Sequence, residues 1–175
     1  LNLVGYKATV VVFDLNGEYQ SLGMTADGKR NAYHDKIHVF MPSQNFKVSL
    51  KQLNLQVLLG ILIHALHLPG TSAREFRRIW QSLKERDVLN LHELGETIRN
   101  WHCNQHVRDA LFSRYYALIN SGFFTDIVAE AILLEECLFK AKEQGGAIIV
   151  NLQNTSSIDR QIVVEYVFGK LIDSL

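Results

Sequence analysis

Asp14 and Glu18 are two carboxylates that close an apolar run, with a glycine between them: Ala8 to Tyr19 reads ATVVVFDLNGEY. Val10, Val11, Val12 and Phe13 are too continuous for a strand with one wet face, and predict a strand buried on both faces of a parallel α/β sheet. Sheets of that kind bind ligands outside the carboxyl ends of their strands. Asp14 stands at that end, Asn16-Gly17 supplies a tight turn, and Glu18 and Tyr19 follow where the chain leaves the sheet. Acids so placed either present carboxylates to a ligand or, as Asp14 and Asn16 can, cap and turn the chain. Periodicity alone leaves both open.

A second apolar run, Ala147 to Leu152, also suits a central parallel strand, and Asn151, Gln153 and Asn154 crowd its carboxyl end. Ser156 or Ser157 caps the next helix, and Asp159 lies in its first turn, where it complements the helix dipole. This final helix is expected to present Ile162, Val163, Tyr166, Val167, Leu171 and Ile172 to the core.

A strand ending Asp-Leu-Asn-Gly-Glu-Tyr, a mostly helical Leu-rich spacer, and then Gly146 to Leu175, GAIIVNLQNTSSIDRQIVVEYVFGKLIDSL, together resemble the HerA branch of the FtsK/HerA family of P-loop ATPases. The resemblance implies an α/β fold: a partial RecA-like P-loop NTPase sheet, mainly parallel, with a large helical insertion. It divides the chain into an α/β core at 1–50 and 145–175 and an insertion at 51–144. For the intact parent it implies a hexameric ring, ATP and Mg²⁺ as cofactors, translocation on duplex DNA for repair or anti-phage defence, a nuclease partner and a cytoplasmic location.

Asp14, Gly17, Glu18 and Tyr19 are the positions that carry over. In that likeness Asp14 and Glu18 face the nucleotide side of the sheet and support the phosphate or metal site, Gly17 belongs to the cofactor-binding turn, and Tyr19 packs against it. Arg160 has no motif match and reads as an ordinary helix-surface arginine. The family's P-loop and its Walker B Asp-Glu pair have no counterpart in these residues, so the chain is expected to be a central portion, inactive in isolation and binding no ATP or metal by itself. A start at Leu1 without methionine and a last helix without a cap agree with that expectation. The competing reading is a non-enzymatic protein-interaction module, in which the helical middle binds a partner and the Asp14 turn is structural. A small complete α/β enzyme is disfavoured, because no Ser-His-Asp, Cys-His or metal constellation stands out.

Between the two strands lies a trap. Gly23, Gly28 and Lys29 satisfy G-x-x-x-x-G-K, but position 30 is Arg where a P-loop needs Ser or Thr, and no buried strand leads in. Gln20 to Asp35 is expected to be a solvated hairpin loop. Lys36 to Met41 reads as a second strand ended by Pro42, and Phe46 to Leu50 as a short extended piece. His34 and His38 are four apart, but no helix is indicated to bring them together.

From Lys51 the period becomes helical, with Leu53, Val57, Leu58, Ile61, Leu62 and Ala65 in one stripe that Pro69-Gly70 stops. Thr71-Ser72 opens the next helix, Ser72 and Glu75 forming a capping box ahead of the stripe Phe76, Ile79, Trp80 and Leu83. Arg74, Arg77, Arg78, Lys84 and Arg86 make that helix locally basic, but nearby acids point to a solvated face. Further helices are expected over Leu91–Trp101 and Val107–Ile119, and Thr125 is expected to cap one carrying Ile127, Val128, Ala131, Ile132, Glu135 and Leu138. His92, His102 and His106 read as surface or capping residues, and Glu130, Glu135 and Glu136 as an exposed face.

With 175 residues and 47% apolar content the chain can bury one sizeable core. Eighteen basic residues balance eighteen acidic ones, which excludes the global charge of a stand-alone nucleic-acid binder and confines any DNA contact to local patches. Cys103 and Cys137 are too few for a disulfide framework or zinc ribbon and fit a reduced compartment. No run reaches the length of a membrane span, and the amino end carries no signal-peptide pattern.

Overall fold

The computed structural model describes residues 8–174. Its strands are β1 (Thr9–Asp14), β2 (Ile37–Phe40), β3 (Val48–Ser49), β4 (Phe124–Thr125) and β5 (Gly146–Asn151). Its helices are α1 (Leu55–Gly60), α2 (Gly70–Glu85), α3 (Leu91–Asn100), α4 (Gln105–Asn120), α5 (Leu134–Gln144) and α6 (Ser157–Asp173). The class is α/β with a mainly parallel sheet, as the strand runs predicted. Two compact units divide the chain: one holds the described residues up to Phe46 with Leu133–Thr155, the other Lys47–Ile132 with the chain from Ser156 onward.

The first unit is built on a parallel sheet in the order β1-β5-β2. Val10 lies opposite Ala147, and Asp14 opposite Asn151. Every residue of β5 is buried, as an uninterrupted apolar run in a central strand requires. Gly146 begins that strand because a Cβ there would stand 2.4 Å from the Lys36 carbonyl oxygen, so only glycine lets β2 approach. The expectation of two-sided burial fails for β1: Thr9 to Phe13 are half-buried and Asp14 alone is buried. β1 borders the sheet, and among the described residues no strand pairs with its outer edge. The polar loop is the expected hairpin. Met24 and Arg30 pair antiparallel, and Lys29 is 82% exposed beside Asp27 at 2.9 Å.

In the second unit α1 passes at Gly60 into a π-helix, Ile61–Ala65. The expected stripe runs through both, with Val57 and Leu58 buried in α1 and Ile61, Leu62 and Ala65 buried in the π-helix. The Arg114 guanidinium donates to the carbonyl oxygens of Leu66 and His67, each at 3.0 Å, and so satisfies backbone acceptors left open at that helix end. α2 buries Phe76, Ile79, Trp80 and Leu83 as its stripe predicted. The capping box does not form. α2 starts at Gly70 with Pro69 at the cap position, three residues before the expected cap, so Ser72 is buried inside the first turn. Glu75 instead accepts from the Trp101 indole N–H at 3.0 Å and pairs with Arg78 at 2.9 Å.

The helix expected after Thr125 is also absent until Leu134. β4 pairs in parallel with β3, the Thr125 hydroxyl accepts from the Ile127 N–H at 3.1 Å, and the Ile132 N–H donates to the Lys47 carbonyl at 2.8 Å. Those ladder bonds hold the segment extended around a short 3₁₀ turn, and leave Ile127 and Val128 exposed. In α6 the Ser156 cap accepts from the Asp159 N–H at 3.1 Å as expected. Its buried stripe, however, ends on Lys170, whose ammonium donates to the Gln52 carbonyl at 3.3 Å, while Ile172 is 69% exposed. Lys170 continues the i, i+4 row from Tyr166, and Ile172 lies off it. No helix of the described residues is long and apolar enough to cross a membrane.

Candidate functional site

The turn after β1 is organised by one carboxylate. Asp14 Oδ1 accepts the Gly17 N–H at 2.8 Å and the Glu18 N–H at 3.1 Å, and Oδ2 accepts the Tyr19 N–H at 2.9 Å. The side chain is 3% exposed. Burial pushes its pKa up, but the backbone N–H groups of Tyr19, Glu18, Gly17 and Asn16 outweigh burial and hold the carboxyl below its ordinary value. The turning role is realised at Asp14, which points inward and orders the turn, while Glu18 is exposed at the carboxyl end of the sheet. Its Oε1 accepts from the Asn16 side-chain amide at 3.4 Å.

The turn after β5 packs against this one. The Leu152 N–H donates to the Asp14 carbonyl at 2.8 Å, and the Asn151 side chain donates to Gln20 Oε1 at 3.4 Å and accepts from the Gln153 N–H at 3.0 Å. Gly17 has φ +75°, and a Cβ on it would stand 2.3 Å from Gln153 Oε1. The left-handed backbone favours glycine here, and any side chain would also require the Gln153 amide to swing aside. Gly17→Ala is expected to cost about 1–3 kcal/mol in chemical denaturation. In a Gln153→Ala background the cost is expected to shrink by the part due to contact while the backbone part persists; an unchanged cost would show that Gln153 gives way freely.

Tyr19 is 45% exposed, and its ring lines a groove of about 400 Å³ over Val10, Val12, Ile37 and Ala147, with Leu22 and Tyr33. Leu22 and Tyr33 belong to no sequence motif; the available signal was that they, with Met24, are large apolar residues in a mostly polar loop. His34 and His38 do not meet at a metal: His34 Nδ1 lies 3.2 Å from the Gly23 carbonyl, and burial, with Lys140 adding to it, pushes the His38 pKa down. Glu130 pairs with Lys47 at 2.8 Å, and Glu135 and Glu136 sit in the first turn of α5. Among the described residues no three His, Cys, Asp or Glu side chains converge as a metal site.

ATP and Mg²⁺ do not fit the described residues alone. The three amides of the Asp14 turn point at that carboxylate instead of forming an anion cradle, and both its oxygens are occupied. Lys29 is held by Asp27 in the hairpin. What the turn offers is one outward carboxylate, Glu18. A family model described as "Helicase HerA, central domain" matches residues 2–171. The chain belongs to the HerA central-domain family. This is an ATPase family of the FtsK/HerA type, and the match takes in β1 with its Asp-Leu-Asn-Gly-Glu-Tyr turn, β5 and the helix after it up to residue 171. No curated protein and no solved structure matches the chain.

Proposed function

We propose that this HerA central domain serves an ATP-driven motor that translocates on duplex DNA as a hexameric ring in the cytoplasm, beside a nuclease, in repair or in defence against foreign DNA. ATP and Mg²⁺ are the cofactors of the intact motor. Within it Glu18 supports the nucleotide site from the carboxyl end of the sheet, Gly17 permits the turn, and Asp14 is a positioning residue that acts only through that turn. The observation that carries the reading is the opposite orientation of the two acids: Asp14 is spent on backbone amides, which leaves Glu18 displayed where parallel sheets place ligands.

The test uses the full-length protein. Glu18→Gln is expected to lower DNA-stimulated ATP turnover about tenfold, equivalent to roughly 1.4 kcal/mol of barrier, with an unchanged melting temperature. Wild-type turnover in that variant would remove Glu18 from the site. A wild-type protein that hydrolyses no ATP with duplex DNA present would overturn the motor itself.

A further inference from the structure

α2 carries a row of cations that its own acids do not neutralise. Arg74, Arg77 and Lys84 are exposed, and none has an ion pair or hydrogen bond among the described residues. Against the four cations of α2 stand two acids: Glu75, which pairs with Arg78 and accepts from Trp101, and Glu85, which accepts from the Gln81 amide at 2.9 Å and keeps its charge. Spacings of three and seven residues keep the three cations within one side of the helix, spread over about 15 Å along its axis. The opposite side, with Phe76, Ile79, Trp80 and Leu83, is buried in the second unit, so the row is held on a rigid support. In a chain whose charges otherwise cancel, this concentration is local.

We infer that the Arg74–Arg77–Lys84 row is a docking surface for the phosphate backbone of a double-stranded nucleic acid. A duplex presents about nine negative charges over 15 Å of axis, a density that suits three exposed cations on a straight rod. Arginines add forked donors that match phosphate oxygens, and the lysine adds a point charge. A membrane surface suits the row less well, because a helix that lies on lipid inserts its apolar face, and in α2 that face is already buried. The inference rests on the proposed action on duplex DNA but names a surface that the motif residues do not include.

The experiment measures duplex DNA binding by the full-length protein as a function of salt. The triple variant Arg74→Gln, Arg77→Gln, Lys84→Gln is expected to reduce the slope of log affinity against log salt by about 2.7, from roughly 0.9 for each phosphate that is no longer neutralised. Between 50 and 200 mM salt its affinity then falls about 40-fold less than that of the wild type. Arg78→Gln, on the same helix but paired with Glu75, is the control and keeps the wild-type slope. Circular dichroism and the melting temperature report that the triple variant is folded. A triple variant with the wild-type slope would overturn the surface while leaving the motor reading intact, whereas a wild type that binds no duplex would overturn both. Wild-type binding to vesicles with anionic lipid, lost in the triple variant while duplex binding is kept, would reassign the row to a membrane.

Discussion

Asp14→Ala is expected to lower the unfolding free energy by about 3–4 kcal/mol, because it takes the acceptor from three backbone amides at once in a buried setting. The turn runs through a left-handed Gly17, and the side-chain oxygen of the neighbouring Asn151 already accepts the Gln153 N–H. Asp14→Asn keeps one acceptor oxygen and is expected to cost about half as much.

The pH dependence has a definite sign. The folded carboxyl titrates below its ordinary value of 3.8, so its contribution is fully present above that value and is lost as the pH falls through the lower, folded pKa. Chemical denaturation at neutral pH and down to about pH 2 would record both effects. In Asp14→Asn the acid limb should be shallower than in the wild type. An unchanged acid limb would mean that the amides of the turn do not favour the charged form.

Trp80→Ala is expected to cost about 3–5 kcal/mol. Trp80 is 2% exposed, in van der Waals company with Phe76, whose ring centroid is 6.3 Å away, and it lies on the helix that packs on α3 and α4. Truncation leaves a cavity about the size of an indole, which rigid helix backbones cannot close. Trp80→Phe keeps part of the ring contact and is expected to recover much of the loss. Hydrogen exchange of the α3 and α4 amides, read beside denaturation, should quicken in Trp80→Ala. A loss under about 1 kcal/mol would show instead that the surrounding helices collapse into the gap.

Much of the architecture was legible because its signals are local. Continuous β-branched runs predicted two parallel strands, Pro69-Gly70 separated two helices, and Ser156 with Asp159 marked the start of the last one. The site was legible as a location but not as an arrangement. Asp14, Gly17 and Glu18 could be picked from the motif, whereas their division of labour depends on which acid turns toward the amides, and nothing in their spacing decides that. Long-range pairing accounts for the largest misplacement. Thr125 was expected to begin a helix because apolar residues recur at helical spacing beyond it, yet the chain there pairs with Val48 and Lys47, more than seventy residues away in sequence, and each ladder bond outweighs the small propensity difference.

The sequence by itself determined the family, the parallel strand pair and the turn chemistry, because each rests on residue types within a few positions of one another. Tertiary structure alone decided that Asp14 faces inward and Glu18 outward, and that Ser72 is buried instead of capping. It also decided that Glu75 accepts from the Trp101 indole, twenty-six residues on. In each case the outcome depends on which side chains and backbone groups folding brings within bonding distance, and with one sequence that proximity follows from packing and cannot be read from spacing.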